Sequence, residues 1–236
     1  MRLRDKFTIC VLLYGDFPEL AARCLSSLTD TIGPEELNIR VGLNKVTDSV
    51  RQWVCDWLPP ERVFISNDDT RKYPMMRRLF YGENPVTTPY TMWFDDDSYL
   101  DYKLPESRLP WLQLVEQAMV ASDIIGSIYK MGFSGNQQEF IKQQSWYDGK
   151  DPFERKSFRF ATGGWWTGRT EVLRRFDYPW PGLGHNGGDV MLGELCLQQE
   201  LRLRHFNQGV RINADAAGKE SASKRRGRND RPYGHA

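Results

Sequence analysis

A chain of 236 residues with 40% hydrophobic content can enclose one full α/β core or two cramped ones, and no linker-like stretch divides its middle, so one domain is expected. A net charge of +1 excludes a uniformly basic binder of polyanions. No stretch is long and apolar enough to span a bilayer, and the short apolar run after Met1-Arg2-Leu3-Arg4-Asp5-Lys6 lacks a cleavage pattern, so a cytoplasmic protein is expected. Cys10, Cys24, Cys55 and Cys196 are scattered without a C-x-x-C pair and read as reduced core residues. The 8 Trp, 10 Tyr and 12 Phe suit either sites for sugars and bases or, more commonly, the core.

Phe7 to Tyr14 is a continuous apolar run, as in a strand buried on both faces of a parallel sheet. Pro18 opens a helix with Leu20, Ala21, Cys24, Leu25 and Leu28 on one face. Asn38 to Leu43 reads as a second strand closed by Asn44. Thr47 or Asp48 then caps a helix carrying Val50, Trp53, Val54 and Trp57, which Pro59-Pro60 stops. Val63 to Ile65 is a third strand ending in Ser66-Asn67-Asp68-Asp69. A helix from about Pro74 to Tyr81 leads to a fourth strand, Tyr90 to Phe94.

The second half is less regular. Pro110 to Ala121 reads as a helix and Asp123 to Tyr129 as a strand, with a loop or amphipathic excursion from about Gly132 to Phe153. Phe158 to Thr162 is a strand, Gly163 to Trp166 a tight junction, and Thr170 to Phe176 a short helix. A breaker-rich loop from Pro179 to Gly188 precedes a helix starting at Asp189, followed by strands at Leu201 to Phe206 and Gly209 to Asn213. Strands alternating with helices imply right-handed crossovers and a parallel sheet, whose ligands bind beyond the carboxyl ends of the strands. Gly15-Asp16, Asn44, Asn67-Asp68-Asp69 and Asp95-Asp96-Asp97 fall at those ends.

The triplet is the strongest chemical signal. Three adjacent carboxylates repel one another unless they are solvated or neutralised by a cation. In an extended segment Asp95 and Asp97 point one way and Asp96 the other. A solvated turn is the bland alternative, but the triplet directly follows a wholly apolar strand.

This strand and acidic triplet, behind a β/α half, resemble the GT-A fold of glycosyltransferase family 2 and related families, best over Phe7–Leu100 and Ala161–Asn213. The resemblance implies an α/β fold with a mixed, mostly parallel central sheet flanked by helices. One domain would span 1–218, with a nucleotide-binding half at 1–100 and an acceptor half at 101–218, and 219–236 would form a basic tail or lid. It places Leu13, Tyr14 and Asp16 against the base and ribose of a nucleotide-sugar donor, and Lys72, Arg77 or Arg78 near its diphosphate. Asp95, Asp96 and Asp97 would meet the donor, with Asp95 and Asp97 holding Mn2+ or Mg2+. Asn44 stands where the family usually carries an acidic residue. A divalent cation with Lys or Arg would stabilise the charge that develops on the leaving diphosphate.

Two further segments extend the resemblance. Gly163-Gly164-Trp165-Trp166 matches a Gly-Gly segment that lies between the metal motif and the catalytic loop, implying acceptor contacts, with one Trp in the core and the other facing the pocket. Gly184-His185-Asn186-Gly187-Gly188-Asp189 is similar to the loop of galactosyltransferases that carries the general base. Gly188 would then face the acceptor and Asp189 would take the proton from its hydroxyl in an inverting transfer; an N-cap is the structural alternative for Asp189. Glu194 reads as a helix-surface residue. The third metal ligand stays open among His185, His205, His235 and Asp215.

The function implied is transfer of a sugar from a nucleotide-diphosphate sugar, of which a UDP-sugar is expected, to a glycan, a small molecule or a modified DNA base. The basic segment Lys219 to Arg231 can be a solvated extension, a lid or a DNA contact, the last as in phage enzymes acting on hydroxymethylated bases. A sugar-phosphate nucleotidyltransferase and a non-catalytic binding module are the competing readings.

Overall fold

The computed structural model describes residues 2–103, 109–131, 137–150 and 158–212. Strand β1 (Phe7–Tyr14) is buried on both faces, as its unbroken apolar run requires. Helix α1 (Pro18–Ile32) starts on Pro18, ends at Gly33 and buries Leu20, Ala21, Cys24, Leu25 and Leu28. Strand β2 (Ile39–Asn44) precedes helix α2 (Asp48–Trp57), where the Thr47 hydroxyl accepts the Val50 N–H at 3.4 Å. Strand β3 (Val63–Ser66), helix α3 (Lys72–Tyr81) and strand β4 (Tyr90–Asp95) complete this half, and the short β5 (Ser98–Leu100) follows. Then come α4 (Trp111–Val120), β6 (Ile124–Met131), α5 (Gln137–Lys142), β7 (Phe158–Arg169), α6 (Thr170–Arg175), α7 (Gly188–Gln198), β8 (Leu203–His205) and β9 (Val210–Ile212).

One sheet runs in the order β3-β2-β1-β4-β7-β6-β8, and β5 pairs with β9 in a second, two-stranded sheet. The pairs β1–β2, β1–β4, β2–β3 and β6–β8 are parallel, whereas β7 lies antiparallel to both β4 and β6. This is the mixed, mostly parallel sheet expected. Alternation along each strand sends successive side chains to opposite faces. Trp93 and Trp166 join one core layer with α3 and α7, while Phe94 and Trp165 join the other with α1, α2 and α4.

Four local expectations change. Gly163 to Trp166 is no junction but the middle of β7, which runs twelve residues because β4 and β6 hydrogen-bond to it from both sides. The stretch expected as a loop after residue 132 contains α5. Trp53 and Trp57 lie on the exposed face of α2, since Val50 and Val54 alone turn to the sheet. Cys10, Cys24 and Cys196 are buried free thiols, but Cys55 is exposed on the same helix. Among the described residues no helix is long and apolar enough to cross a membrane. The segment 219–236, with Asp215 and His235, lies outside the described residues.

Candidate active site

Because β3, β2, β1 and β4 are parallel neighbours, their carboxyl ends form one rim. At that rim Asn44 is fully buried. Its Oδ1 accepts the Thr70 N–H at 3.0 Å, and its Nδ2 donates to Asp69 Oδ1 at 3.4 Å and to the Arg71 carbonyl at 3.2 Å. The amide is thus spent on shaping the 69–71 loop. The carboxylate exposed at this part of the rim is Asp69, which accepts the Tyr14 hydroxyl at 2.6 Å and the Arg71 N–H at 2.8 Å. Burial pushes the Asp69 carboxyl up, but Tyr14, the Arg71 N–H, His185 and Asn44 together outweigh it and hold the group below the usual carboxylate range. Asp16 is exposed in the turn after β1, whereas the Leu13 side chain is buried in the core layer with α1 and α2 and does not reach the rim.

The acidic triplet is buried at the end of β4. Asp95 Oδ2 accepts the Lys72 ammonium at 2.6 Å, and its Oδ1 accepts the indole N–H of Trp93 at 3.0 Å. The core therefore orients this carboxylate from its own strand. Asp96 turns the other way, and its Oδ2 accepts the Tyr14 N–H at 3.1 Å. Lys72 Nζ also donates to the Gly163 carbonyl at 2.7 Å, tying α3 to both β4 and β7.

Among the described residues no three His, Cys, Asp or Glu side chains form a group able to enclose a metal ion. Mg2+, however, is commonly held by one or two carboxylates, with water and phosphate oxygens completing its shell. Asp95 lines the cleft and keeps lone pairs beyond its two hydrogen bonds, and Asp97 follows in the turn before β5. This all-oxygen donor set fits a hard cation shared with a ligand, not a closed protein cage.

A cleft of about 210 Å³ opens beside Asp95, while Asp97 is not among the residues that line it. Lys72, Tyr73 and Asp95 line it, Thr162, Gly163 and Gly164 come from β7, His185, Asn186 and Gly187 from the loop before α7, and Asp189 from the first turn of α7. The register Phe94 to Trp165 brings Gly163 and Gly164 beside the end of β4. A Cβ on Gly163 would lie 3.1 Å from Lys72 Nζ and 3.9 Å from Asp189 Cβ and Oδ2. Lys72, Asp95 and Asp189 thus meet over a residue that has no side chain.

Asp189 does not cap α7. Gly187, left-handed at φ 92°, holds that position without a side-chain bond, and Asp189 Oδ1 accepts the Val190 N–H at 2.9 Å. Burial raises the Asp189 carboxyl above its usual range; the Val190 N–H and Lys72 oppose the rise and Asp95 adds to it.

Several expected contacts lie elsewhere. Trp165 and Trp166 are both buried in the core, one in each layer, because consecutive strand residues face opposite ways; neither indole faces the cleft. Arg77 donates to Asp177 and to the Pro179 carbonyl, and Arg78 to the Ile65 carbonyl on β3, so neither lines the cleft. Glu194 is buried within α7 instead of on its surface, and His205 on β8 accepts the Ile128 N–H at 3.1 Å. Gly188 approaches Tyr73 so closely that a Cβ would lie 2.3 Å from its ring. Tyr73 and Thr162 belonged to no motif and were marked only by proximity to Lys72 and to Gly163, while Asp69 and Asn186 fell within the strand-end and Gly-rich segments without being singled out.

No protein-family model and no curated protein matches this chain. Solved structures do. TarS of S. aureus shares 16% identity at a TM-score of 0.55, covering 85% of this chain and 35% of that one. Its 1-349 form in complex with UDP shares 16% at 0.53, covering 85% and 57%. The mannosyltransferase PcManGT from Pyrobaculum calidifontis, in complex with GDP-Man and Mn2+, shares 13% at 0.56, covering 94% and 60%. The chain therefore spans between about a third and three fifths of the length of these proteins. Its sheet order and these likenesses give it the fold of the GT-A glycosyltransferases.

Proposed function

We propose that this chain is a glycosyltransferase that moves a sugar from a nucleoside-diphosphate sugar to an acceptor hydroxyl. The observation that supports it most is the meeting of Lys72, Asp95 and Asp189 over Gly163 at the carboxyl rim. A cation at one side of the cleft and a buried carboxylate at the other suit a reaction that expels a diphosphate and removes a proton. Lys72 stabilises negative charge as the glycosidic bond breaks. Asp189, made more basic by burial, accepts the proton of the acceptor hydroxyl as it attacks the anomeric carbon from the opposite face, inverting it. A Mn2+ or Mg2+ ion held by Asp95 and Asp97 would share the charge of the departing diphosphate.

In this reading Asp69, not Asn44, presents a carboxylate to the base. An ionised acceptor at that point suits the imide N–H of uracil or the N1–H of guanine. The acceptor, whether glycan, small molecule or modified DNA base, enters above Asp189.

A thermal-shift screen of UDP- and GDP-sugars with Mn2+, followed by assay of donor hydrolysis, tests the reading, because a ligand of the folded state raises its apparent stability. A rise in unfolding temperature with a sugar nucleotide, and metal-dependent release of the diphosphate, are expected. Neither binding nor hydrolysis with any donor would refute it. Pyrophosphate release from a nucleoside triphosphate and a sugar phosphate would favour a nucleotidyltransferase instead. Anomeric proton coupling in the product reads out inversion.

A further inference from the structure

Tyr73 belongs to no motif, yet it is tied to the cleft loop at two points. Its backbone N–H donates to the Gly184 carbonyl at 3.0 Å, holding one end of the loop that carries His185 and Asn186. Its hydroxyl oxygen accepts the Gly188 N–H at 3.0 Å, and the neighbouring Asp189 N–H favours negative charge on the same oxygen. These N–H groups are among those a helix leaves unpaired at its start. With glycine in the N-cap position of α7, a tyrosine from α3 supplies the missing acceptor. The close approach is possible only because Gly188 has no Cβ.

The phenol has two acceptor lone pairs and one proton. One lone pair is taken by the Gly188 N–H of α7, and among the described residues nothing accepts the proton. Burial, followed by the charges of Asp189 and Asp95, raises the phenol well above its usual range, so it keeps that proton. Tyr73 lines the cleft together with Thr162, whose Oγ1 is also buried and without a partner. Two residues with hydroxyl groups that keep unspent hydrogen bonds thus line the same cleft as Lys72, Asp95 and Asp189. An ionised phosphate would be drawn to Lys72; neutral hydroxyls with spare donors suit the oxygens of a sugar ring.

We propose that Tyr73 is a ligand contact of this site, donating its hydroxyl proton to an oxygen of the transferred sugar while its own oxygen fixes the start of α7, with Thr162 completing the subsite. This rests on the glycosyl-transfer reading, which supplies the sugar.

Calorimetric titration of the full chain with UDP, UDP-glucose, GDP and GDP-mannose in Mn2+ tests it. The quantity read is the ratio of affinity for the sugar nucleotide to that for the bare nucleotide. Tyr73→Phe is expected to lower that ratio about tenfold, the worth of one well-placed hydrogen bond, and to leave nucleotide affinity unchanged. Tyr178→Phe is the matched control. Its hydroxyl donates to the Gly188 carbonyl at 3.1 Å, at the same helix end, so its loss should not move the ratio. An unchanged ratio in Tyr73→Phe, or an equal fall in both variants, overturns the proposal and leaves Tyr73 a structural clamp. Should Tyr73→Phe fold poorly, 3-fluorotyrosine placed at residue 73 keeps the shape and donates more strongly. A higher ratio supports the contact, and no change refutes it. A wild-type chain that binds neither nucleotides nor sugar nucleotides refutes the glycosyl-transfer reading, and this proposal with it. Bare nucleotide binding with a ratio of one refutes the sugar subsite alone.

Discussion

The two halves of the molecule build their share of the cleft by different means. From β1 to β4 a helix connects each strand to the next along the chain, all four strands run parallel, and the candidate groups sit where strands stop. Asp69, Lys72 and Asp95 all fall within a few residues of a strand end or helix start. From β6 to α7 the logic reverses. Gly163 and Gly164 lie inside a twelve-residue strand and reach the site only because β7 inserts antiparallel between β4 and β6. In the first half, position along the chain marks the site; in the second, only the pairing partner does.

The comparison can be broken or sharpened experimentally, beginning with the largest effect. If the second half supplies the base, Asp189→Asn should cut turnover by about 10²- to 10⁴-fold. If the first half binds the nucleotide, that affinity should persist in the same titration. The variant should also melt higher than wild type at neutral pH. The folded-state carboxyl is raised, so wild type gains stability as pH falls below that value, fully by the ordinary carboxylate pKa, and loses it as pH rises through the raised one. The gap in unfolding temperature should therefore close as pH is lowered to about 4. Constant spacing across that range would sink the assignment of a buried, raised carboxyl.

Next come two changes of stability. Trp166 packs edge-on against Phe80 and Tyr178, so Trp166→Ala should lose about 3–5 kcal/mol in denaturant unfolding. A loss under about 1 kcal/mol would mean the indole is not core after all. Lys72→Ala strands the Asp95 carboxylate in a buried setting and should lose about 3 kcal/mol, together with nucleotide binding. Retained nucleotide affinity would remove Lys72 from the diphosphate site. Trp53→Ser, on the open face of α2, should change stability by no more than about 0.5 kcal/mol, and a large loss there would contradict its exposure.

These contrasts show what the chain order discloses. The apolar run of β1, the Leu20-to-Leu28 face of α1, and Asp95 at the end of β4 follow from periodicity and strand-end position, both local properties. Trp53 and Trp57 fit the helical spacing equally well, yet the sheet offers α2 a contact only as wide as Val50 and Val54. The tryptophans of β7 looked like a sugar platform because their glycine neighbours suggested a break; flanking strands on both sides remove it. Arg77 and Arg78 share with Lys72 the right charge and segment. Only the helix start points at the cleft, and one turn later the side chains serve the loop at Asp177 and the edge strand β3 at Ile65. Tyr73 was invisible because its partners, Gly184 and Gly188, are more than a hundred residues away.

The anchoring of β7 also bears on how the site could be redesigned. With Trp165 and Trp166 locked into opposite core layers just beyond Gly163 and Gly164, the cleft floor serves as a fixed datum. Variation introduced there propagates into the whole molecule. An engineer seeking new acceptors would do better to randomise the opposite wall, His185 and Asn186, whose side chains border the cleft while the flanking Gly184 and Gly188 stay pinned by Tyr73.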